Sequence, residues 1–216
     1  MTFAVAAFFT APHMFAMWRW IFVKGSALLE LGGRLEYAPS TFLPTSLPFL
    51  AVDAAPPGRA ALVVGAVTVV ALLAVAQRFV ATVLPMAYFI RAVAFILATA
   101  VIVFGVGTGS PTLNLTTYVR AMLQVSVGIW MLIPLLYGLT LFLLDIGWVR
   151  KAVLIAGAMA HLAVFIPLQH LVGTYVVHHL TLLTLPLLFV FGSVAPQVAM
   201  LIAFYAWGAS WPERRT

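Results

Sequence analysis

Apolar runs of roughly membrane-spanning length alternate with short polar breaks along this chain, and that alternation predicts helices across a bilayer. The runs lie at 3–23, 60–77, 80–106, 119–144, 152–172 and 178–207. The first contains Pro12 and His13 and ends in Trp18-Arg19-Trp20, a belt of the kind that sits at headgroup level. It either spans or lies in the interface, and spanning is the favoured reading. Pro85 falls early in the third run, and Arg91 lies about a third of the way into it. Pro134 and Gly138 allow a kink in the fourth, and Pro186 and Pro196 do the same in the long sixth. Gly173-Thr174-Tyr175 predicts a turn between the fifth and sixth.

The longest break is 24–59. It contains Lys24, Glu30, Arg34, Glu36, Asp53 and Arg59, and five prolines at 39, 44, 48, 56 and 57. Those prolines exclude a regular helix through its second half. The intervening Phe42, Leu43, Leu47, Phe49 and Leu50 predict a segment that rests on the bundle or dips into the interface.

Composition turns this pattern into a class. The chain has 216 residues, 64% hydrophobic and 7% charged, with a mean hydropathy of +1.14. An average soluble domain carries about 25% charged residues, so the solvent here is mostly lipid. The expected fold is an all-α polytopic transmembrane helical bundle of about six spans. It forms one domain over 1–216 with a Pro-rich interfacial loop at 24–59. No Lys or Arg precedes the first apolar run, so that run reads as a retained helix and not a signal peptide.

The net charge of +6 is the balance of 11 Lys and Arg against 5 Asp and Glu, and the basic residues are spread along the chain and not clustered on one face. No basic stripe with interleaved aromatics exists, so nucleic acid is not an expected partner and membrane lipids are. There are no cysteines, which excludes disulfides, thiolate metal sites, a Cys nucleophile and thioether-linked haem.

The positive-inside count is close to a tie: Arg78, Arg150, Lys151, Arg214 and Arg215 on one side, against Lys24, Arg34, Arg59 and Arg120 on the other. The first set is favoured as cytoplasmic because its charges sit in tight loops or at span ends. Parity alone places 24–59, 108–120 and 170–179 on one face.

Four of the five histidines fall within 161–179, where polar side chains are expensive. Three constellations follow. His170, His178 and His179, with Glu30, Glu36 and Arg120 nearby, offer imidazole and carboxylate for a divalent metal or a proton relay. The bland alternative is that interfacial histidines cap helix ends. His13 and His161, both near mid-depth, could clamp a b-type haem axially, or donate to carbonyls freed by Pro12 and Pro167. Asp145 with Arg91 or Arg78 reads as a structural ion pair, or Arg91 as a contact for an anionic or lipid-like substrate.

No nucleophile elbow, zinc-protease helix or phosphate loop is present. Without a catalytic motif, no cofactor is expected outright, and enzyme activity is not the leading reading. The chain reads as a membrane subunit or scaffold of a cell-envelope transport or export assembly. Its expected setting is a bacterial-type cytoplasmic membrane, with a protein partner or a homo-oligomer. The alternatives are a metal- or haem-binding membrane subunit and a small transporter.

Overall fold

The computed structural model describes residues 2–54, 56–80, 83–106, 115–143 and 147–211, with side chains from residue 9 onward except at 143. Helices α1 (Thr2–Leu28), α2 (Arg59–Phe79), α3 (Leu84–Val106), α4 (Leu115–Thr140) and α5 (Trp148–His179) are regular. A sixth, α6 (Leu182–Ala209), is irregular. It opens with a 3-10 turn at Leu182–Thr184, passes through a π-helical stretch at Leu188–Val194, and is α-helical over Ala195–Ala209. Helices α2 to α6 are each long and apolar enough to cross a membrane. Helix α1 has 27 residues; at ~1.5 Å per residue it is about 40 Å long, more than a ~30 Å hydrocarbon core. This is an integral membrane protein with a helical bundle fold.

The segment after α1 is not irregular. It forms an antiparallel hairpin of β1 (Arg34–Pro39) and β2 (Ser46–Ala51), with Leu35 opposite Leu50, Tyr37 opposite Pro48 and Ala38 opposite Leu47. The prolines that exclude a helix are tolerated here because both strands of a two-stranded ribbon are edges. Ser40 Oγ accepts the amides of Phe42 and Leu43, each at 3.3 Å, and so tightens the connecting loop. Leu47, Phe49 and Leu50 are buried, and β2 lies across α1 and α4. Gly128 of α4 receives the hairpin loop: a Cβ there would come within 3.1 Å of the Phe42 ring.

Helices α1, α4, α5, α6 and the hairpin share one core, centred on Trp18, Phe22, Leu123, Ile133, Leu162 and Ile166. Helices α2 and α3 pair with each other and join through a second, smaller cluster of Leu97, Ala100 and Leu183. Gly65 allows that join, since a Cβ at this position would lie 2.6 Å from Leu183 Cδ2 and 2.9 Å from Val101 Cγ2. Between helices in lipid the drive is packing and hydrogen bonding, because the tails outside are as apolar as the core.

The expected turn at 173–175 is corrected. Helix α5 continues through Gly173, Thr174 and Tyr175 to His179, and the chain reverses at Leu180 and Thr181. Pro167 does not end α5 either. Its missing N–H leaves the Ala163 carbonyl without its helical partner, and the Trp18 indole of α1 donates to that oxygen at 2.6 Å. The helix therefore crosses the proline with its backbone satisfied.

Candidate functional site

The polar side chains inside the bundle gather where α4, α5 and α6 meet. The cause begins in α6. Pro196 has no N–H, so the Gly192 carbonyl cannot make its ordinary helical bond. In the same stretch the backbone follows a π register, with the Ala195 amide donating to the Val190 carbonyl. Gln169 of α5 answers this opening. Its Nε2 donates to the carbonyls of both Gly192 and Ser193, the latter at 2.8 Å.

The network runs on from there. Gln197 Nε2 donates to Gln169 Oε1 and to Ser126 Oγ of α4, each at 3.0 Å. Ser126 Oγ is in turn 3.5 Å from His170 Nε2. Three helices are thus joined by neutral side chains. Ser126 lies eleven residues past Leu115, about 16 Å along α4, near the middle of a ~30 Å hydrocarbon core. Gln197 and Ser126 are closed off from the surface, at 0% and 1% exposure. Ser126 beside an imidazole has the residue types of a nucleophile and base, but it is enclosed and accepts from Gln197. It works as a crosslink.

Beside this network is a cavity of about 340 Å³ between the same three helices. Its walls are mostly apolar, with Val119 and Met122 from α4, Val177 from α5 and Leu188 from α6. Gln169, His170 and Ser193, beside the hydrogen-bond network, form its polar end; Tyr118, which donates to the Leu185 carbonyl, and Thr174 also line it. Leu168 and Val172 also line it and are 45% and 58% exposed, so it opens sideways between helices, toward lipid. Gly173 faces it as well, and a Cβ there would meet no atom within 4 Å. No Lys, Arg, Asp or Glu is among the described residues that line it.

The remaining sequence candidates are dispersed. His170 is buried, whereas His178 and His179 are exposed at the end of α5. Eight residues of helix separate His170 from His178 by about 12 Å and about 80° of rotation, so one ion cannot take both from a straight helix. His178 Nδ1 lies 3.2 Å from the Asp53 carbonyl oxygen, which ties α5 to the chain after the hairpin. The His179 ring packs against Tyr175 at 4.3 Å. Glu30, Glu36 and Arg120 are exposed. Among the described residues no three His, Asp or Glu side chains come together as a metal-binding group.

The haem pair is not brought together. His13 is on the exposed face of α1, whose inward face is Ala11, Met14, Phe15 and Trp18. His161 packs between Phe165 and Phe204, at 5.5 and 5.7 Å, and its buried Nε2 has no hydrogen-bond partner among the described residues. The Ala163 carbonyl, which His161 was a candidate to cap, is taken by Trp18. Arg91 lies over the ring of Tyr88 at 5.9 Å, while Asp145 lies outside the described residues.

Sequence reasoning singled out His170 but missed Ser126, Ser193 and Gln197 as its companions. The legible signal is uncharged polar residues isolated within apolar runs, which in membrane helices turn toward each other. No family model, curated protein or solved structure matches this chain.

Proposed function

We propose that this integral membrane protein is a subunit of a cell-envelope assembly handling lipid-linked or exported material in a bacterial-type cytoplasmic membrane. In this reading its α4–α5–α6 cavity takes up a lipid-like molecule directly from the bilayer. The observation that carries it is the cavity: apolar walls, a lateral opening past Leu168 and Val172, and one polar end at mid-depth. Its volume, about 340 Å³, falls in the ~300–1,000 Å³ range of small-molecule sites. The broken helix α6 beside it supports the same reading, because interrupted membrane helices commonly line sites at the midplane. The uncharged lining favours a lipid-like molecule over a small anion.

The test is photo-crosslinking in vesicles of phosphatidylethanolamine and phosphatidylglycerol that carry a diazirine-bearing lipid. Adducts are expected to concentrate on 168–173 and 188–196, and Gly173→Leu is expected to remove that excess while leaving adducts on α2 unchanged. Adducts spread in proportion to exposure would rule the site out. The subunit role is tested separately by isolating the protein from its membrane under mild crosslinking and identifying its partners. Transport of a substrate by the purified chain alone would overturn that role.

A further inference from the structure

We infer that the molecule held between α4, α5 and α6 is a single-chain lipid with a neutral hydroxyl head, seated against Ser193; this rests on the cavity reading above. The argument is a count of hydrogen-bonding capacity at the polar end. A glutamine offers two N–H donors and one carbonyl acceptor. Both donors of Gln169 are spent on the Gly192 and Ser193 carbonyls, and its acceptor is taken by Gln197. Both donors of Gln197 are spent on Gln169 and Ser126.

What is left is one hydroxyl and one carbonyl oxygen. Gln197 Oε1 and Ser193 Oγ are buried and have no partner among the described residues. Ser193 is 6% exposed and lines the cavity, so its hydroxyl is an unspent group a ligand can reach. The Ser193 hydroxyl both donates and accepts, so the complementary head is one that can do both. A ketone or ester only accepts. A hydroxyl donates, and it can also accept the Ser193 proton.

Charge excludes the other common heads. A phosphate or carboxylate would sit near the bilayer midplane with no cationic side chain among the described residues lining the cavity, and an unpaired buried charge is strongly disfavoured. The tail follows from the walls: Val119, Met122, Val177 and Leu188 enclose one apolar chain, which leaves past Leu168 and Val172 into lipid.

The experiment measures binding of farnesol, farnesene and farnesyl phosphate to the purified full chain in nanodiscs by equilibrium dialysis. These probes share a tail and differ in the head. Farnesol is expected to bind about tenfold more tightly than either of the others, the difference one buried hydrogen bond makes. Ser193→Ala is expected to bring farnesol down to the level of farnesene and leave farnesene unchanged. Gly173→Leu is expected to remove all binding, and the smaller Gly173→Ala to weaken it with the melting temperature retained.

Farnesene equal to farnesol, or farnesyl phosphate tightest of the three, would overturn the hydroxyl head. In both cases binding lost in Gly173→Leu would leave the cavity standing. An unchanged farnesol affinity in Ser193→Ala would also overturn the assignment to Ser193. Failure of the wild-type chain to bind any of the three would overturn the cavity reading and this inference with it.

Discussion

The indole Nε1 of Trp18 lies 2.6 Å from the carbonyl oxygen of Ala163, the one helical acceptor that Pro167 leaves open on α5. A side chain on the first helix thereby repairs the backbone of the fifth. Gln169 does the same for α6, where Pro196 leaves the Gly192 carbonyl open. In a hydrocarbon solvent a proline-broken helix needs such a partner, and here the partners also fix which helices are neighbours.

If Trp18 caps Ala163, Trp18→Phe is expected to destabilise the bundle by about 1–3 kcal/mol, the cost of leaving a buried carbonyl unpaired. The same change in a Pro167→Ala background is expected to cost less, because residue 167 then supplies its own N–H. Thermal unfolding of the four variants in detergent measures the coupling, and simple additivity would reject the repair.

Gln169 closes two carbonyls, so Gln169→Leu is expected to cost about 1–3 kcal/mol. The loss is expected to be local. Amides over 188–196 would exchange hydrogen faster, while those of α2 and α3 would not change. Adding Pro196→Ala is expected to restore part of the protection. Uniform loss across all helices would mean that Gln169 supports the whole bundle and not the π-helical stretch in particular.

Helix α1 approaches α5 closely at Gly25, where a Cβ would fall 2.1 Å from Leu171 Cδ2. Gly25→Val is expected to cost about 1–3 kcal/mol through overpacking. Gly25→Val with Leu171→Ala, which moves the volume across the contact, is expected to recover most of it. No recovery in the unfolding midpoint would show that the helices are set apart by something other than this contact.

The native chain has no cysteine, so single introduced cysteines report topology without background. Thr41→Cys at the hairpin loop and Leu180→Cys after α5 are expected to react with a membrane-impermeant maleimide from the same side. Gln77→Cys in the last turn of α2 and Gly147→Cys before α5 are expected to react only from the other. All four positions are exposed. Labelling of Thr41 and Gln77 from one side would remove α2 as a span.

Much of this fold is legible because lipid imposes a simple rule. Apolar runs in a chain with 7% charged residues have few alternatives to helices, and the boundaries of α2 and α3 follow their runs within a few residues. The turn expected at Gly173-Thr174-Tyr175 fails because one glycine costs a helix only about 1 kcal/mol, and the packing of Thr174 and Val177 in the bundle outweighs it. The hairpin at 34–51 was hidden by its prolines, which exclude a helix but not an edge strand.

The sequence by itself determined that this is a multi-helix membrane protein, because composition and run length depend only on transfer from water to lipid. It also determined that polar groups inside those runs need partners. Only the tertiary structure decided which ones. His170 could be assigned to His178 and His179 by nearness in the chain, but helical rotation turns them apart, and it meets Ser126 of α4 instead. Gln169, Gln197 and Ser193 come from segments without a shared motif, and they converge because the proline break in α6 exposes carbonyls at the depth where α5 carries a glutamine. The cavity beside them exists for the same reason: its walls are ordinary apolar residues, and their arrangement is a property of helix packing that no single stretch of sequence contains.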